Sequence, residues 1–278
     1  MNAQQLTAER ETRYEEAIAS VQAESRKTRA SRRRGTLLAA IIFVGVVGLI
    51  EVVLAVARVP EWTIPRPTRI AEAWWQNLGN VILPNAGITL LEVLIGFVCG
   101  AVIGVVLGGV IGEYQILDKI LSPFILILIT TPVVALVPLL MLWFGYGLET
   151  KIIAAAIASF PPIMMNTVAG LTKTPAMHLD LMKYLGASRW EVFTRVKFLN
   201  ALPSIFTGLT IGSIFALITT VAAEFVGGST GLGNRLIYYA STVQTPLMFA
   251  IILSLAVIGI IIYVSVAALA RRVVTWQN

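Results

Sequence analysis

Three carboxylates lie inside stretches of chain that are otherwise apolar: Glu51, Glu92 and Glu224. An ionised side chain near mid-bilayer costs at least about 2.5–3.5 kcal/mol, so an acid in such a stretch faces a cavity or a partner. Two uses are open to them. They can shape the outer gate or the path of a transported solute. They can instead serve structure, Glu92 as a helix cap, and Glu51 and Glu224 by reaching the interface or pairing with Arg58 or Arg235. Uncharged polar groups extend the set of path candidates to Thr130, Thr131, Asn166 and Thr167. No central Arg or Lys is read in any apolar stretch, so an anionic solute would be met by helix N-termini.

Covalent chemistry finds no support. His178 is the only histidine and lies in a polar loop, and Cys99 is the only cysteine. Neither a disulfide framework nor a thiolate metal site is possible within one chain. A membrane enzyme needs paired histidines, clustered carboxylates or an activated nucleophile, and none is present. The glycines at 227, 228, 231 and 233 are not followed by Lys-Ser or Lys-Thr, and no Walker motif occurs elsewhere. This chain is therefore expected to be no enzyme and to hold no metal or cofactor, and any ATP work must come from another polypeptide.

The elements that would position these residues are membrane helices. The chain is 57% hydrophobic and 13% charged, with mean hydropathy +0.82. Soluble domains carry about 25% charged residues. Apolar stretches long enough to cross a bilayer occur near 36–57, 86–111, 120–144, 152–171, 203–226 and 248–270. The expected fold is an all-α helix bundle with six spans, in one membrane domain over 36–278. Residues 1–35 form a polar, basic tail before it. Arg26 to Arg34, the loop holding Lys173 to Lys197, and Arg271 with Arg272 carry the basic excess, which places both termini in the cytoplasm. The net charge of +6 sits beside spans, so it reports topology and lipid contact and not nucleic acid.

Local patterns refine this layout. Gly96, Gly100, Gly104, Gly108 and Gly112 recur every four residues and make a bare stripe for close helix packing. Thr89 and Glu92 fit a capping box at the outer end of the same span. Thr68 to Leu78 is expected to lie on the outer surface, and a short helix to run from Leu232 to Thr242.

Residues 172–202 form a polar loop of a distinctive kind. A short helix runs to Leu185 and Gly186 ends it in the left-handed conformation. Ser188 and Glu191 then start a second helix as a capping box. Pro203 follows at the start of the fifth span. Two helices joined by a glycine corner make a lever on which a partner can push.

This loop resembles the cytoplasmic motif of bacterial ABC importer permeases, in which Glu-Ala-Ala is followed by three residues and Gly. Asp180 falls at the Glu position, Gly186 at the Gly and Ala187 after it, and Ala201-Leu202-Pro203 looks like the closing Leu-Pro. Leu181 and Met182 depart from the usual alanines. Ile64-Pro65-Arg66-Pro67-Thr68, the segments 138–145 and 160–167, Ala222-Ala223-Glu224-Phe225 and Gly231-Leu232-Gly233 are similar to further pieces of the nitrate, sulfonate, taurine and thiamine-precursor subfamily. The resemblance covers about 60–278. It implies a type I importer fold and a bacterial inner-membrane location. It also implies a second permease subunit, two cytoplasmic ATPase subunits that hold ATP and Mg, and a periplasmic or lipid-anchored binding protein. Asp180, Leu181, Met182, Gly186, Ala187, Ser188 and Pro203 would then couple to the ATPase. Segments at 224–225 and 245–250 lean toward pyrimidine-type, flavin or other organic solutes.

Two other classes compete. An ion-coupled carrier requires broken helices with acids at the midplane, whereas the acids here lie off-centre. A non-transporting assembly subunit would co-purify with partners but move nothing.

Overall fold

The computed structural model describes residues 41–276, with Gly35, Leu38 and Ala39 besides. The expected tail over 1–35 lies outside the described residues apart from Gly35. The chain divides into two units, Met1–Pro60 with Arg66–Thr68, and Glu61–Pro65 with Arg69–Asn278. In the first unit, the described residues include an apolar helix, α1 (Ile41–Val56). Glu51 on α1 accepts hydrogen bonds from the Thr68 backbone N–H (3.0 Å) and hydroxyl (2.8 Å).

After α1 the helices follow in the order α2 (Pro67–Asn77), α3 (Leu83–Glu113), α4 (Gln115–Thr130), α5 (Val133–Phe144), α6 (Leu148–Thr172), α7 (Ala176–Tyr184), α8 (Arg189–Val192), α9 (Phe198–Gly227), α10 (Leu232–Ser241) and α11 (Thr245–Val273), those from α3 on lying in the second unit. Single π-helical turns, Leu78–Ile82 and Phe193–Lys197, join α2 to α3 and α8 to α9. Among the described residues, four helical runs are long and apolar enough to cross a membrane: Pro67–Glu113, Leu148–Thr172, Arg189–Gly227 and Thr245–Val273.

The expected boundaries change in four places. The stretch 120–144 is not one helix: Thr131 and Pro132 are extended and separate α4 from α5. Steric conflict with the Pro132 ring moves Thr131 out of the helical region. Pro203 does not start the fifth span but sits inside α9, which continues the run from Arg189. Thr89 and Glu92 form no cap, because α3 begins six residues earlier with Pro84 in its first turn. The short helix expected to end at Thr242 ends at Ser241.

The glycine stripe governs how the bundle closes. All five of its glycines are buried. A Cβ built on Gly96, Gly100, Gly104 or Gly108 would lie 2.7–2.8 Å from the carbonyl oxygen of Ile152, Ala156, Phe160 or Met164 respectively, and one on Gly112 would lie 3.3 Å from Val168 Cα. The partners advance in the same steps of four, so α3 and α6 run parallel with their backbones in contact. Any side chain here overpacks the seam, at a cost of about 1–3 kcal/mol. The other side of α6 receives α9 in the opposite sense. A Cβ on Gly208 would lie 3.2 Å from the Pro162 carbonyl oxygen, and one on Gly212 2.9 Å from that of Ser159. An apolar cluster of Val93, Ala155, Ala216, Leu232, Ile251 and Ile258 joins α3, α6, α9, α10 and α11.

Candidate functional site

The loop after α6 folds as a two-armed elbow. The first arm, α7, ends in a Schellman motif. The Ala187 N–H donates to the Met182 carbonyl and the Gly186 N–H to the Lys183 carbonyl, both at 3.0 Å. Gly186 has φ +69°, which glycine adopts without steric cost. The second arm starts at Ser188. Its hydroxyl accepts from the Glu191 N–H (3.3 Å), and the Glu191 carboxylate accepts from the Ser188 N–H (3.0 Å). This reciprocal pair is the expected capping box. The Ser188 N–H, then its hydroxyl and Arg195, hold the Glu191 carboxyl below the usual carboxylate range.

One face of the first arm is left open. Met177, Leu181, Tyr184 and Leu185 are exposed, Tyr184 by 90%. Their spacing puts them on one side of α7, and a contiguous exposed apolar stripe of this kind marks an interaction surface. Asp180 lies among them, exposed and paired with Lys183 at 3.2 Å. A pair so open to solvent contributes at most about 1 kcal/mol, so Asp180 is free to exchange partners.

The second arm is anchored. Lys197 pairs with Glu113 at the end of α3 (2.9 Å, both half-buried). Phe193 stacks on Trp190 with centroids 5.9 Å apart. From Arg189 the helical run continues for 39 residues to Gly227. At 1.5 Å per residue that is a rod about 60 Å long.

At the far end of this rod lies a buried charge cluster. Lys151 on α6 donates to Glu92 on α3 at 2.8 Å, and the two side chains are 2% and 0% exposed. Beside them Glu224 on α9 accepts from the Thr89 hydroxyl (2.7 Å) and the Gly233 N–H (2.6 Å). The first turn of α10 is satisfied by the same group of side chains. The Gly231 N–H donates to Asn85 Oδ1 (3.0 Å) and the Leu232 N–H to Thr89 Oγ1 (2.9 Å). The orphan donors that open a helix thus find acceptors on α3 and α9 instead of water. A Cβ on Gly233 would strike Glu224 Oε2 at 2.7 Å, so the backbone approaches this closely only because the residue is glycine. Glu92 Oε2 has no hydrogen-bond partner among the described residues.

The cluster replaces several expectations. Glu92 is no helix cap, and Glu224 is bonded to Thr89 and Gly233 with no ion pair to Arg235. Lys151 is the residue that the sequence reading missed. It sits in the first turns of α6, one residue before the apolar window read from hydropathy. Glu51 is bonded to Thr68. Of the other path candidates, Thr130 and Thr131 return their hydroxyls to the Ile127 carbonyl at the break between α4 and α5. Asn166 donates to the Pro162 carbonyl (2.8 Å). Thr167 is fully buried in the seam against Gly108, and its hydroxyl donates to the Ile163 carbonyl (2.8 Å). Among the described residues no three His, Cys, Asp or Glu side chains come together as a metal site.

The chain belongs to the family of binding-protein-dependent transport system inner membrane components, which its residues 100–275 match. It is 37% identical over 219 residues to the riboflavin transport system permease protein RibX of Chloroflexus aurantiacus, covering 78% of this chain and 82% of that one. It is 31% identical over 237 residues to a probable ABC transporter permease protein of Haemophilus influenzae, covering 85% and 96%. Its fold is similar to a chain of the MetNI methionine ABC transporter in an inward-facing conformation. That match has a TM-score of 0.61 and 20% identity, and covers 69% of this chain and 96% of that one. The chain is a multi-pass permease subunit of the ABC importer type.

Proposed function

We propose that this permease works as one of a pair, driven by two ATPase subunits that dock on the exposed face of α7 and supplied by an external binding protein. The observation that carries this reading is the apolar stripe Met177, Leu181, Tyr184 and Leu185, presented on a rigidly capped elbow. ATP and Mg belong to the partner, which closes on nucleotide and moves the elbow. The run Arg189–Gly227 carries that movement across the membrane. Both termini and the elbow face the cytoplasm by the positive-inside rule. Asp180, Leu181, Met182, Gly186, Ala187 and Ser188 act in coupling. Pro203, inside α9, belongs with the same coupling set. Glu51, Thr130, Thr131 and Asn166 remain candidates for the path.

The solute is a ring-bearing organic nutrient of the flavin or pyrimidine kind. The buried cation Lys151 is occupied by Glu92, so it is not free to receive a small inorganic anion. The similarity to a riboflavin permease agrees with this class. The test is uptake of labelled riboflavin into vesicles that carry the permease, its ATPase and its binding protein. Uptake is expected with ATP inside and with the proton gradient collapsed. Uptake that persists without ATP and disappears with the gradient would make the chain an ion-coupled carrier instead.

A further inference from the structure

The motif of the elbow departs from alanine at Leu181 and Met182, and the structure shows where the added bulk goes. Leu181 lies at the edge of the exposed stripe, while Met182 is half-buried on the other side of α7. There, His178, Leu181 and Met182 line a crevice of about 400 Å³ whose opposite wall is Val196 and Leu199 of the second arm and the start of α9. The remaining large apolar side chain in that crevice is Trp276, from the segment that follows α11.

That segment has a defined course. The Val274 N–H closes α11 on the Ala270 carbonyl at 2.8 Å. Val274 itself is 8% exposed and lies in the groove that holds Pro203, Phe206 and Thr207 of α9. The chain then descends beside α9 from the level of Pro203 to that of Leu199, and brings the indole to the inner face of α7. Trp276 is 52% exposed and lines this crevice together with Met182, whose flexible, polarizable thioether can adapt to an indole ring. Alanine at 182 would take the thioether out of this crevice.

We infer that Trp276 is a positioning residue for the elbow: sharing the crevice with Met182, it ties α7 to the end of α11, so that a stroke on the elbow moves the last span together with α9. The inference rests on the reading of the elbow as the site where the ATPase pushes. Without the brace, α7 loses its link to the end of α11 and swings without carrying that span.

The test uses the full complex of permease, ATPase and binding protein in membranes. With Cys99→Ala as background, His178→Cys combined with Trp276→Cys is expected to cross-link with a short bifunctional thiol reagent. The second readout is ATP hydrolysis with and without the binding protein. Trp276→Ala should keep basal hydrolysis and lose several-fold in stimulation, and Trp276→Phe should restore most of it. Absence of the cross-link in folded protein, or full stimulation with Trp276→Ala, overturns the brace. If stimulation also survives Asp180→Lys with Gly186→Pro, the elbow reading fails as well; if that variant abolishes it, the brace alone fails.

Discussion

Replacing Lys151 with Met is expected to remove about 3–5 kcal/mol from the folded permease, the cost of leaving one member of a buried ion pair without its partner. Lys151 is 2% exposed and its ammonium is 2.8 Å from Glu92 Oε1. With the ammonium gone, Glu92 and Glu224 stay side by side in a region closed to water. Methionine keeps most of the volume, so the loss is electrostatic and not a cavity. The double change Lys151→Met with Glu92→Leu should recover most of the stability, because a well-packed apolar pair often matches a buried ion pair. The measurement is the thermal midpoint and the yield of monodisperse protein in detergent for both variants. A Lys151→Met protein as stable as the parent would mean that water or a rearranged partner already reaches Glu92.

The second large effect is at the elbow. Gly186→Pro cannot keep φ at +69°, because the proline ring fixes φ near −65°, and it removes the N–H that closes the helix on Lys183. Combined with Asp180→Lys, it reverses the charge on the exposed face and breaks the corner behind it. We expect ATP-driven uptake to fall to the level seen without ATP, while membrane insertion and the thermal midpoint change little. The physical reason is location. The α7 arm carries no buried residue, so its loss leaves the α3–α6–α9 core untouched. A variant that transports normally would show that force does not pass through Gly186.

The parts that the sequence made legible depend on local rules. The corner at Gly186 and the box at Ser188 involve groups a few residues apart, so propensity and spacing suffice. The glycine stripe was legible for a related reason: five small residues on one helix face demand a close neighbour, although not which one. The structure names α6, through carbonyl oxygens that advance in the same steps of four. What stayed hidden was tertiary. Thr89 and Glu92 satisfy a capping spacing, yet each is used by a distant group, Glu224 and Lys151 respectively. Lys151 read as a flank because hydropathy cannot distinguish a lysine that reaches water from one that turns into the bundle. Pro132 splits a stretch whose other prolines, Pro123 and Pro138, are held inside helices. Trp276 follows the last apolar stretch, and nothing in its neighbours in sequence indicates that it returns to the elbow.

The central claim is that a separate ATPase engages the exposed face of α7. A photoreactive residue in place of Tyr184, the most exposed side chain of that arm, tests it directly in intact membranes. The expected result is an adduct with the ATPase subunit whose yield changes when ATP is bound. Reaction only with reagents confined to the outer side, or an adduct with the external binding protein and none with the ATPase, would contradict it.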